Sequence, residues 1–240
     1  MIKSGLTKYL LFLIILVQFS CSKSNVDPKP GELSSFQKET IEYFKEIALG
    51  FEFGSASEIT RKWKDDMKIY VSGEKRPNLQ DELSSIINEI NTLCTDGFQL
   101  SITNDSLSSN FLVFFGSGDA YAKIYPAQTN YVGGNFGLFS VYWTSNNLNR
   151  GHMYVDIYRA DEVAQRHLLR EELTQSLGLA KDSSRYPESI FQQDWTYTTQ
   201  YAEIDKELIR LLYHPEMHSG LDATQVEQVL TQILMEENLQ

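Results

Sequence analysis

The run Arg166–Asp182, RHLLREELTQSLGLAKD, holds the densest set of side chains able to do chemistry in this chain. Read as a helix, it places Leu169, Leu173 and Leu177 on one stripe and His167, Glu171 and Gln175 on another roughly opposite. The leucine stripe must pack, and the polar stripe faces solvent or a cleft. His167 and Glu171, four residues apart, can reach one metal ion, because successive helical turns bring such side chains together. Gln175 extends the stripe as a weaker oxygen donor, with Asp182 further along the chain.

The elements that must hold this helix are legible from hydrophobic spacing. Ser34 or Ser35 caps a helix carrying Phe36, Ile41, Phe44 and Ile47, which ends at Gly50. Alternation of Met67, Ile69 and Val71 with polar residues makes Trp63–Val71 a strand. Leu83, Ile86, Ile87, Ile90 and Leu93 define a helix over about 79–95. Extended segments follow at 98–102, 111–115, 137–144 and 152–158, separated by Gly, Asn and Ser turn residues, and the last two are expected to form a hairpin. Three helices are expected at 161–178, 198–213 and 222–236. Gly116-Ser117-Gly118 lacks the lysine and spacing of a phosphate loop, so nucleotide binding has no support.

Composition limits the partners. The 240 residues are 42% hydrophobic and 22% charged, enough apolar mass for one sizeable core, and 21 basic against 32 acidic residues give a net charge of −11. Such a surface does not neutralise phosphates, and nucleic acid is excluded as a partner. Lys3 and Lys8 precede and flank the apolar run Tyr9–Val17, which is too short for the roughly 20 residues that cross a bilayer. With Ser20-Cys21 behind it, the segment resembles a bacterial lipoprotein signal, in which the cysteine is acylated and becomes the new N-terminus. Residues 1–21 are then a signal peptide, 22–33 a flexible tether with two prolines and a glycine, and 34–240 a single domain. Losing Lys3 and Lys8 leaves 19 basic against 32 acidic residues, a net −13. The implied location is the cell envelope, on the outer membrane or periplasmic face, with lipid at Cys21 as the membrane contact. Cys94, left without a disulfide partner and set among isoleucines, is expected to be a buried free thiol.

The segment Glu171–Gly178 is similar to the zinc metallopeptidase helix HExxHxxG. Glu172 and Gly178 fall on the glutamate and glycine positions, while Glu171 and Gln175 stand where that motif has histidines. Lys181 occupies the place of the third histidine of the longer motif. The order of helix, strand, helix, strands and C-terminal helices is also similar to zincins. These likenesses imply an α+β, zincin-like fold with a mixed, mostly antiparallel five-stranded sheet, packing helices and a helical C-terminal part. They also imply a degenerate site, because zinc affinity rests on nitrogen and sulfur donors.

A second resemblance is carried by HLLREELTQSLGL at 167–179, RYPESIF at 185–191, and Asp205 through LIRLLYHPEM at 208–217 to Gly220. Together these resemble the bacterial family called domain of unknown function 2927, which includes many lipoproteins. The resemblance implies no activity. Three functions therefore stay open. One is a lipid-anchored envelope protein whose silent zincin-like domain serves binding or scaffolding, without cofactor. Another is a zinc metallopeptidase with His167, Glu171 and Gln175 or Asp182 as ligands and Glu172 as base. The third is a surface lipoprotein that binds a glycan or peptide through some of its 13 Tyr, 13 Phe and 3 Trp.

Overall fold

A computed structural model describes residues 31–239; the signal segment, Cys21 and most of the tether lie outside the described residues. Six helices surround one sheet: α1 Ser35–Ala48, α2 Pro77–Leu93, α3 Gly118–Ile124, α4 Glu162–Gln175, α5 Glu203–Leu212 and α6 Ala223–Glu237. The strands are β1 Lys62–Trp63, β2 Met67–Gly73, β3 Leu100–Ile102, β4 Phe111–Gly116, β5 Gly137–Thr144 and β6 Asn147–Asp156. No helix among the described residues is long and apolar enough to cross a membrane.

The expectation of a mostly antiparallel five-stranded sheet is corrected here. Six strands pair in the order β1-β6-β4-β2-β3 with every pairing on that path parallel, and β5 alone runs antiparallel, beside β6. Only the short 103–110 connection joins β3 to β4, whereas parallel neighbours ordinarily need a long crossover. It suffices because β3 and β4 are not neighbours: they flank β2 on opposite sides at different heights. β3 pairs with Met67–Ile69 and β4 with Ile69–Gly73, so the chain only has to step across the strand. Asn110 fixes that step, its side chain accepting from Lys68 N–H (2.7 Å) and donating to Asp66 O (2.8 Å).

Two further departures have local causes. The expected strand 63–71 is split, because Lys64–Asp66 bend away after Trp63 pairs with the start of β6. Helix α3, not foreseen, is capped by Ser117 and followed by a short 3-10 turn, Pro126–Gln128, on the opposite sheet face from α2 and α4. The expected β5–β6 hairpin is present, with its turn at Ser145 and Asn146, both at positive φ.

Parallel strands covered on both faces are apolar on both. Phe111, Val113 and Phe115 of β4, with Met153 and Val155 of β6, meet α1, α2, α4 and α5 in the main core. Phe114 and Tyr154 point the other way, against Tyr121 and Val132. His152 lies on that second face, 3% exposed, its Nδ1 2.5 Å from the Tyr121 hydroxyl and its ring stacked on Tyr125. Burial, with Arg150 nearby, pushes its pKa down to about 4, so it is a neutral core histidine. Cys94 is a buried free thiol, as expected, with its pKa pushed up to about 12 by burial.

A carboxylate-rich cleft between α4 and the β5 edge

Asp161 starts α4, its side chain accepting from the N–H groups of Val163 and Ala164. Leu169, Leu173 and Leu177 are fully buried in the core, as their spacing requires, each contributing about 2 kcal/mol. The polar stripe faces a cleft of about 950 Å³ bounded by β5, the 51–56 loop and the 192–195 segment. Gly137 lets β5 pass directly over α4, since a Cβ there would lie 2.6 Å from a Glu172 carboxyl oxygen.

His167 and Glu171 meet: Nε2 is 3.3 Å from Oε2, and Nδ1 donates to the Thr198 carbonyl at 2.7 Å. With Nδ1 committed as a donor, a neutral ring would turn its Nε2 lone pair toward a carboxylate. Burial opposes charge on this ring, but the hydrogen bond and charge of Glu171 outweigh it, and the pKa stands above its ordinary value. Gln175 does not join that pair; its Nε2 donates to Asp182 Oδ1 at 2.5 Å. Among the described residues, no three His, Cys, Asp or Glu side chains are grouped so as to hold a metal ion. The donor set thus does not match an ordinary zinc site, and Lys181 pairs with Glu58 (3.3 Å) instead.

Asp182, out of phase on a helical reading, belongs to the site because the helix has ended. Past Gly178 the chain turns, and Glu52 N–H donates to Ala180 O (3.1 Å) while Lys181 N–H donates to Ile47 O (3.2 Å). This pairing carries Asp182 back under Gln175 and sets Glu52 at the mouth of the cleft, a contact across 130 residues of chain that no local pattern announces. Glu172 lies beneath, 8% exposed; burial first, then the charges of Glu171, Asp182 and Glu52, hold its pKa well above the carboxylate range, against the Phe139 N–H. Burial thus favours its protonated form over the ionised form that a general base needs. Burial and the charges of Glu171 and Glu52 lift Asp182 from 3.8 to about 7.

That shift makes a stability prediction. Between about pH 4 and pH 7 folded Asp182 keeps a proton that the unfolded chain has released, so stability falls as pH rises through this range. Asp182→Asn keeps an acceptor for Gln175 and removes the cost. It should raise stability by on the order of 1–3 kcal/mol at pH 8 and by almost nothing at pH 4. Urea unfolding at both pH values measures this, and an equal effect at both would show that charge is not the cause.

The aromatic rim was not legible either. Phe51 stacks on Trp143 with centroids 5.4 Å apart, Trp195 sits edge-on to Phe136 at 6.0 Å and to His167 at 6.2 Å, and Trp195 is half exposed.

A helix-layered, mainly parallel sheet with this acidic cleft along its one antiparallel edge defines the class of the protein. The chain belongs to the family described as protein of unknown function DUF2927, whose model matches residues 37–232. No curated protein matches the chain.

Proposed function

We propose that this is a lipid-anchored envelope protein whose domain is a catalytically silent, zincin-like binding module that holds an extended polypeptide along β5. The observation that carries the reading is the open edge of β5. Asp156 N–H donates to Phe136 O (2.7 Å) and Gly151 N–H to Asn110 O (3.0 Å), which sets the phase of the hairpin. Residues 136, 138 and 140 therefore bond to β6, while Gly137, Phe139 and Val141 turn their N–H and C=O groups to the cleft, where Glu172 takes the Phe139 N–H and the others have no backbone partner among the described residues. An unpaired edge in a groove recognises an extended chain by strand addition, whatever its sequence. Glu171 and Gln175 in place of zinc-binding histidines, and a Glu172 whose burial disfavours the ionised form, support silence over metal-assisted hydrolysis. Cys21 and the 22–33 tether would hold the domain off the membrane surface.

Two measurements test this. After dialysis the protein should carry less than about 0.1 equivalent of zinc; stoichiometric zinc lost in Glu171→Ala would reassign the cleft to a metallopeptidase. On an array of extended peptides, Val141→Pro should weaken binding about tenfold, roughly 1.4 kcal/mol, with an unchanged melting temperature, since it deletes an N–H that β6 does not use. Full binding by that variant would remove strand addition.

A further inference from the structure

The sheet face opposite α4 carries a small second layer, the segment 117–135, made of α3, the 3-10 turn and the loop that follows. It is fastened at both ends. At its start Gly118 N–H donates to Asp156 Oδ2 (3.2 Å), and at its end Arg159 donates to the carbonyls of Val132 (2.8 Å), Gly133 (3.0 Å) and Asn135 (2.9 Å). Between these clamps Tyr121 packs in a small apolar cluster with Phe114, Leu138 and Tyr154, and two polar contacts reach the sheet. One is Gln128 Nε2 donating to Ser140 Oγ (2.9 Å); the other is His152 of β6.

His152 has a hydroxyl on each ring nitrogen, Tyr121 of α3 on Nδ1 at 2.5 Å and Tyr142 of β5 on Nε2 at 3.3 Å, while Tyr125 stacks on the ring. A neutral ring protonated at Nε2 satisfies them all. The Tyr121 O–H donates to Nδ1, Nε2–H donates to the Tyr142 oxygen, and the exposed Tyr142 turns its own O–H to water. A protonated ring donates from both nitrogens, and the fully buried Tyr121 O–H then has no acceptor among the described residues. No carboxylate offsets the charge. On β6 the nearest charge is a second cation, Arg150, whose guanidinium lies over the Tyr142 ring; β4 presents Leu112 and Phe114. Asp119 and Lys123 of α3 are exposed, and Glu172, from the α4 side, bears on Tyr121 and Tyr154 but not on this ring.

We propose that His152 is an acid-sensitive latch: its protonation frees the middle of the 117–135 segment from the sheet and so opens the part of the cleft wall formed by Gln128 and Tyr131. The clamps at Asp156 and Arg159 hold both ends, so the segment opens as a local unit while the main core stays folded. The latch stands independently of the polypeptide reading, which concerns only what the opened wall admits or releases.

The test is hydrogen exchange read by mass spectrometry, on the full chain in detergent at pH 7.5 and pH 5, corrected for the intrinsic pH dependence of amide exchange. A histidine with a pKa of about 4 in the closed layer and 6.5 in the open one makes the open form about thirtyfold more populated at pH 5 than at pH 7.5. Amides of 119–131 should lose protection by about that factor, while those of α2 and α5 do not. His152→Gln keeps a donor and an acceptor but cannot charge, and should abolish the acid effect. Arg150→Gln removes the neighbouring cation and should reduce it. Unchanged protection in 119–131, an equal loss in α2 and α5, or an acid response that survives His152→Gln each overturn the latch. If His152→Gln does not fold, an acid response as large in Arg150→Gln as in the parent overturns it instead.

Discussion

Gly178→Ala should cost about 4 kcal/mol or more and lower the melting temperature by about 10 °C, a large loss for a single methyl group. Gly178 follows α4 at φ +118°, and a Cβ there would lie 1.9 Å from the Arg61 carbonyl oxygen. Neither partner can yield cheaply. The Arg61 backbone leads directly into β1, and the end of α4 is held by groups that satisfy its last carbonyls. Trp63 Nε1 donates to Ser176 O and the Tyr213 hydroxyl to Leu177 O, both at 2.9 Å. Relief of the clash would require moving β1 off the helix, and with it the buried Trp63, or forcing an L-residue to keep a backbone conformation it rarely adopts. Thermal and urea unfolding measure the loss; a variant melting within 2 °C of the parent would show that the helix end can shift freely.

Asp205→Ala is expected to cost about 3 kcal/mol, whereas Asp205→Asn should cost no more than about 1. Asp205 is fully buried at the first turn of α5, accepting from the Ser189 hydroxyl (2.5 Å) and from the N–H groups of Ile190 (3.0 Å) and Ala202 (2.9 Å). The Ser189 hydroxyl reaches on to Tyr43 of α1 at 3.0 Å, so one carboxylate joins the 185–191 segment to two helices. Alanine leaves three buried donors without an acceptor. Asparagine can put its oxygen toward the two N–H groups and its nitrogen toward the serine, which then donates to Tyr43. Burial raises the Asp205 pKa while these hydrogen bonds oppose it, and asparagine removes that desolvation cost as well. Equal destabilisation by both substitutions in urea unfolding would mean that the negative charge itself is required.

The Gly178 site and the cleft meet at α4. Its C-terminal turn is built rigidly around Gly178, its leucines anchor the core, and the remaining face is left holding groups that repel one another. An arrangement that lowers stability at neutral pH, as Asp182 does, is characteristic of residues kept for a ligand and not for the fold. This is why Asp182→Asn is expected to stabilise the protein at neutral pH.

Local pattern settled what local physics controls. The spacing of Leu169, Leu173 and Leu177 made α4 a helix and named its buried face; isoleucines at 86, 87 and 90 did the same for α2; Gly178 marked the turn that ends α4; Cys94 among apolar residues was a buried thiol. Each depends on periodicity or on one residue's backbone freedom, quantities complete within a few residues of chain. Strand direction is of another kind. Nothing in 98–115 distinguishes a hairpin from a step across β2, since the difference lies in which half of β2 each strand meets. Asp182 and Glu52 likewise acquire their role only when the chain beyond Gly178 pairs with the loop after α1, and Thr198 orients His167 from a segment without regular structure. Local spacing is enough to define a helix bearing His167, Glu171, Glu172 and Gln175 with a leucine-packed back. That this polar face looks onto the edge of an antiparallel strand, among carboxylates from three separate segments, follows from the folded chain, because burial and mutual repulsion exist only once distant parts of it share one low-dielectric space.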